Sequence, residues 1–223
     1  MLRAEGLTKL FRTADRTVTA LDGVDLALRP GARVGLTGPS GCGKSTLARC
    51  LSLLLAPDDG TVTVDDRPVA RFGVRAPREL RRQVQLLWQS PRGAADPRQR
   101  LRTLIGEPAT LFGGSAQDAV ARWAPLVGLT DDLLDRHPHE VSEGQLQRAM
   151  IARCLACEPR YVIADEPTSM LDVSSQAAVL DAIATAARET GLGVLLITHN
   201  TVLAEYWCEE VRSFAELRSG TEA

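Results

Sequence analysis

The segment Gly38-Pro-Ser-Gly41-Cys-Gly43-Lys44-Ser45 constrains this chain more than any other. It satisfies G-x-x-x-x-G-K-[ST] and stands between the short apolar run Arg33–Thr37 and a stretch with helical spacing at about residues 44–55. Glycines let the backbone turn tightly, so that successive N–H groups point inward at phosphate oxygens. The helix that follows turns its positive end to the same anion. On this reading Gly38, Pro39, Ser40, Gly41, Cys42 and Gly43 cradle phosphates, and Lys44 reaches the β- and γ-phosphates of ATP. Ser45 ligates Mg²⁺, and Thr46 bonds the α-phosphate. Lysine is scarce: of 26 basic residues only Lys9 and Lys44 are lysines, so one inside a glycine loop stands out.

The surrounding texture predicts an α/β fold with a P-loop NTPase core. Alternating stretches at residues 17–21, 24–28 and 61–64 predict an N-terminal antiparallel β subdomain, with turns at Asp22-Gly23, Pro30-Gly31 and Asp58-Asp59-Gly60. The apolar run at 84–88 ends at Gln89. After it the composition shifts to Pro, Arg, Gly and Ala, and 116–126 has helical spacing, so residues 90–155 read as an inserted helical subdomain. Strands at 161–164 and 194–198 flank a helix near 174–190, which implies a mostly parallel sheet with ligands at the carboxyl ends of its strands. The expectation is a single domain over 1–223, with 1–89 and 156–223 as β subdomain plus core.

A net charge of −2 gives no global basic field, so nucleic acid is not an expected partner. The five cysteines have no disulfide-framework spacing, and Cys154-x-x-Cys157, with no second pair to complete a zinc site, reads as small buried thiols; all of this fits a reducing compartment. No apolar run approaches the ~20 residues of a membrane span. If the protein works at a membrane, it does so from the side.

Several other residues stand where chemistry is done. Asp165-Glu166 follows an apolar strand; Asp165 is placed for the Mg²⁺ shell and Glu166 as general base toward water. Gln89 and His199 also follow predicted strands, and Gln89 can touch both Mg²⁺ and water. Ser142-Glu143-Gly144-Gln145 is a capping box whose exposed N–H groups and hydroxyl can also face a phosphate supplied by another molecule. Phe11 either stacks on adenine or fills the β-lobe core.

In this order, with Ser169-Met170-Leu171-Asp172 added, these elements resemble the ATP-binding cassette (ABC) transporter ATPases over nearly the whole chain. The resemblance implies an ATPase that works as a head-to-tail dimer. Each ATP would lie between one P-loop and the partner's Ser142, Gly144 and Gln145, with Asp172 in the loop crossing to the opposite site. The stretch Gln89–Arg98, with Ile105-Gly-Glu-Pro108 and His137–Arg148, is similar to cassettes of peptide and nickel importers. That subgroup implies a second cassette, identical or not, integral membrane permease subunits, an extracytoplasmic solute-binding protein, and a place on the cytoplasmic face of the membrane. The region after Gln89 would touch a coupling helix of the permease.

Three departures bear on this expectation. Glu143 stands where the family usually has glycine and brings negative charge toward an incoming γ-phosphate, so reduced or partner-dependent turnover is expected. Met170 replaces a usually small residue. The chain runs only to Ala223, and the cysteine-bearing extension frequent in peptide-importer cassettes is not among its residues. An accessory ATPase of a phosphonate-degrading enzyme complex is the alternative function, and a small-molecule kinase a third, in which the Ser142–Gln145 element has no use.

Overall fold

The computed structural model describes residues 1–12, 16–169 and 171–217. Strands β1 (Leu2–Arg12) and β2 (Thr17–Leu28) pair antiparallel, and β3 (Arg33–Thr37) runs into the glycine loop and helix α1 (Lys44–Leu51). Strands β4 (Asp59–Val64) and β5 (Arg67–Pro68) complete an antiparallel sheet ordered β2-β1-β4-β5. Helix α2 (Arg78–Gln83) leads to β6 (Val84–Leu87). Then come α3 (Pro91–Ala94), α4 (Leu101–Leu111), α5 (Ala116–Leu126), α6 (Asp131–Leu134) and α7 (Glu143–Leu155). Strand β7 (Tyr161–Asp165), helix α8 (Val173–Thr190), strand β8 (Gly193–Ile197), helix α9 (Thr201–Trp207) and strand β9 (Glu210–Ser213) follow.

The second sheet has the order β6-β7-β8-β3-β9, and each neighbouring pair is parallel. Its central strands are covered on both faces, as a parallel sheet requires. Side chains alternate accordingly: Tyr161, Ile163, Leu195 and Ile197 pack with the antiparallel sheet and α1, whereas Val162, Ala164, Val194 and Leu196 pack against the helices. Each large aliphatic side chain buried in these layers is worth about 1.5–3 kcal/mol before chain entropy is counted. The α/β class with a P-loop core is thus as read from the sequence.

Local boundaries differ where backbone chemistry intervened. The turn expected at Asp22-Gly23 is instead a bulge inside β2: Lys9 pairs with Leu21 and Leu7 with Val24, so the chain stays extended. The first helix stops at Leu51 rather than near 55. There Leu53 takes a left-handed conformation (φ 63°) and the amides of Leu54 and Leu55 both turn back to the Arg49 carbonyl. Strands β1 and β9 were not foreseen. The first is interrupted by a register shift around Gly6, and the second is only four residues long and carries two charges.

Candidate nucleotide site

Strand β3 delivers the chain to the glycine loop at the carboxyl edge of the parallel sheet, between β8 and β9. Gly43 sits at φ 117°, and a Cβ there would fall 2.2 Å from the carbonyl oxygen of Ala20, so no other residue fits without moving β2. Gly43 is also the N-cap of α1 and offers no side-chain cap, which leaves the first-turn N–H groups of Lys44, Ser45 and Thr46 free for an anion. The Lys44 side chain is almost fully buried (6% exposed) and its ammonium donates to the carbonyls of Gly38 and Pro39, both at 2.8 Å. The Cys42 amide closes a turn onto the Pro39 carbonyl at 3.4 Å, so Pro39, Ser40 and Gly41 form the outer arc of the cradle.

Asp165 ends β7, beside the loop. Burial pushes its carboxyl pKa up, a hydrogen bond from the Ser45 hydroxyl opposes the shift, and the neighbouring Glu166 charge adds to it. Such a carboxylate gains most from a cation. Ser45 and Asp165 therefore supply one hydroxyl and one carboxylate, the sparse protein set that suits Mg²⁺ when phosphate oxygens and water complete its shell. Among the described residues no cluster of three or more His, Cys, Asp or Glu forms a metal cage. The cradle and this donor pair fit Mg-ATP.

Glu166 is the meeting point of three strand ends. Its backbone is left-handed (φ 48°), unusual for a residue with a Cβ, and is held there by an N–H bond to Ile197 of β8 at 2.9 Å. One carboxylate oxygen lies 3.4 Å from Nδ1 of His199, beyond β8. The other accepts a hydrogen bond from Nε2 of Gln89, beyond β6, at 3.2 Å. Ser169 was not among the predicted site residues, although it closes this group. Its Oγ lies 3.4 Å from Gln89 Nε2 and donates to the Glu166 carbonyl at 3.1 Å. A serine three residues beyond Asp165-Glu166 was the available signal.

Ser142, Gly144 and Gln145 stand at the start of α7, bonded to one another and packed on α8. Ser142 caps α7: its Oγ accepts from the Gln145 amide at 3.2 Å, and Gln145 Oε1 accepts from the Ser142 amide at 2.9 Å. Gly144 packs so closely on α8 that a Cβ would stand 2.9 Å from Ser175 Oγ. That hydroxyl donates to Asp172 at 2.7 Å, and Asp172 caps α8 by accepting from the Ser175 amide at 3.0 Å. The Ser174 and Ser175 hydroxyl bonds hold the Asp172 carboxyl far below the usual range. Asp172 and Gly144 thus share one patch through Ser175. Met170 lies outside the described residues.

Phe11 is 41% exposed at the end of β1, paired with Val18 of β2, with Lys9 Nζ 5.9 Å from its ring centroid. The carbonyl of Ala20 on the same β2 strand covers Gly43, so the two strands overhang the loop. Of the cysteines, Cys50, Cys154 and Cys157 are buried, and burial pushes the Cys50 and Cys157 thiols up to about 11.

Residues 21–169 match the profile of the ABC transporter family. A putative peptide import ATP-binding protein of Brucella ovis is 36% identical over 215 residues, covering 95% of this chain and 68% of that protein. The nickel import ATP-binding protein NikE of Rhodospirillum rubrum is 39% identical, covering 95% and 79%. The oligopeptide transport ATP-binding protein OppF of Salmonella typhimurium is 37% identical, covering 90% and 62%. A dimeric ATP-binding cassette solved in a post-hydrolysis state with ADP and Pi superposes with a TM-score of 0.83 at 24% identity, covering 96% and 94%, a likeness of fold. With the cradle, the Ser45–Asp165 pair and the Glu166 cluster assembled on that fold, the chain belongs to the ABC transporter family and is one of its ATP-hydrolysing cassettes.

Proposed function

We propose that this cassette powers an importer of peptides, nickel or related small solutes by closing on a second cassette around ATP. The observation that supports it best is the convergence of Gln89, His199 and Ser169 on Glu166, immediately after the Asp165 that faces Ser45. A carboxylate so placed accepts the proton of a water that attacks the γ-phosphate, and the bond to ADP breaks as the new P–O bond forms. Lys44 and the loop amides hold the phosphates, and His199 and Gln89 orient the base. Ser45 and Asp165, with Gln89, would hold Mg²⁺, which would neutralise charge on the phosphates.

Ser142, Gly144 and Gln145 of a second cassette, identical or different, close the site from the other side. Their own contacts in this chain are to α7, α8 and one another; the capping box takes the Gln145 amide, and the amides of Glu143 and Gly144 face a phosphate that another subunit supplies. Asp172 lies in the crossing loop of the same face. Phe11, exposed at the end of β1 and paired with the β2 strand whose Ala20 carbonyl covers Gly43, stacks on the base.

In this reading residues 90–155 form an inserted helical subdomain. A groove of about 660 Å³, lined by Leu54, Arg78, Leu86, Trp88 and Phe112, draws on chain from both before and after Gln89 and receives a permease helix. No helix of the described residues is long and apolar enough to cross a membrane. On this reading the cassette works against the cytoplasmic face of a permease. Delivery from outside falls to a solute-binding protein. The test is affinity capture from detergent-solubilised membranes with the purified cassette as bait. Recovery of a polytopic permease whose presence stimulates phosphate release supports the reading. Recovery of a soluble enzyme complex alone assigns the cassette to an accessory role instead.

A further inference from the structure

Glu143, at the first position of α7, puts a carboxylate where an incoming γ-phosphate must arrive, and it is not left bare. Arg92, on α3, donates from Nε to Glu143 Oε2 at 2.7 Å. The same guanidinium donates from Nη1 to the Pro138 carbonyl at 3.1 Å and from Nη2 to the Val141 carbonyl at 3.2 Å. An exposed ion pair alone is usually worth little. This one differs because all three guanidinium nitrogens are committed, two of them to the backbone leading into Ser142. A second tie runs in parallel: Gln147 of α7, 1% exposed, donates to the carbonyl of Trp88 at 3.5 Å. The segment from Trp88 to Arg92 is therefore bracketed to α7 at both ends, with Gln89 between them reaching Glu166.

We propose that Arg92 is a positioning residue that cancels the charge of Glu143 and fixes the first turn of α7, so that the Ser142–Gly144 face accepts the γ-phosphate held by a second cassette. This rests on the closure described under Proposed function. It also changes the expectation for Glu143: the carboxylate is an anchor for Arg92, tolerated because its charge is already met.

The test is a double-mutant cycle in a Glu166→Gln background, reading the ATP concentration at which half the protein associates in analytical ultracentrifugation. Arg92→Ala bares the carboxylate and should raise that concentration about tenfold, the scale of an unpaired like charge at an interface. Arg92→Ala combined with Glu143→Gln removes the charge as well and should return to within about twofold of the parent. Arg92→Gln is run beside Arg92→Ala, and circular dichroism verifies that each variant folds. If the Arg92 variants associate like the parent, or the double variant stays as poor as the single, the proposal is overturned while closure stands. If the parent itself, alone and with its partner cassette, never associates with ATP, closure is wrong and the proposal falls with it.

Discussion

Glu166 and His199 come from the ends of neighbouring strands and meet with Oε1 3.4 Å from Nδ1. The contact is possible because β7 and β8 pair in parallel, with Asp165 opposite Ile197, so both chains leave the sheet at the same level. Parallel pairing thus places the Glu166 carboxylate and the His199 imidazole side by side. Replacing Glu166 with glutamine keeps the shape and removes the proton acceptor. Phosphate release should fall at least about 100-fold while ATP-driven association persists, measured by a coupled phosphate assay and sedimentation. Undiminished release would remove Glu166 from its role.

Lys44 donates to two loop carbonyls at 2.8 Å, bonds that the proposed function has it exchange for phosphate oxygens. A charged hydrogen bond of this kind contributes about 1.5–3 kcal/mol. Lys44→Ala should therefore weaken ATP binding roughly 10- to 100-fold in isothermal titration. An unchanged affinity would show that the cradle works without it.

Gly144 leaves no room for a side chain, since its Cβ would stand 2.9 Å from Ser175 Oγ and 3.1 Å from Ser175 Cβ. Gly144→Ala should push α7 and α8 apart at a cost of about 1–3 kcal/mol, read by urea denaturation. The same change should impair ATP-driven association, because the displaced turn carries Ser142. A variant as stable and as competent as the parent would contradict the close packing.

Asp165 gives a pH dependence with a definite sign. Burial raises its folded pKa above the unfolded value, so the native state binds its proton more tightly. At pH values below the unfolded carboxylate range both states are protonated and the position costs nothing. As pH climbs through the raised folded pKa, a buried charge forms and stability is lost. Without nucleotide, Asp165→Asn should melt higher than the parent at pH 7, and the difference should shrink as pH is lowered through the carboxylate range. With Mg-ATP the order should reverse, since the amide offers the cation no charge. Parallel melting curves at all pH values would count against a burial-raised carboxyl.

Much of this site was legible because its signals are local. A glycine loop, a capping box and an acid pair after an apolar run each depend on residues within about ten positions, where backbone geometry and spacing decide the outcome. The helix that was drawn too long and the turn that became a bulge failed for the opposite reason. Leu53, in the turn just past α1, and Gly23, inside β2, adopt left-handed backbones, a choice that the packing around them imposes.

Local patterns in the chain were enough for the glycine loop, the α/β class and the strand ends on which Gln89, Asp165, Glu166 and His199 stand. Only the tertiary structure decided who meets whom. The order β6-β7-β8-β3 brings Gln89 and His199 to opposite sides of one carboxylate, and the packing of α3 on α7 gives Glu143 its arginine. Contacts between segments far apart in the chain follow from which apolar faces are buried together, and that is settled by the whole core at once.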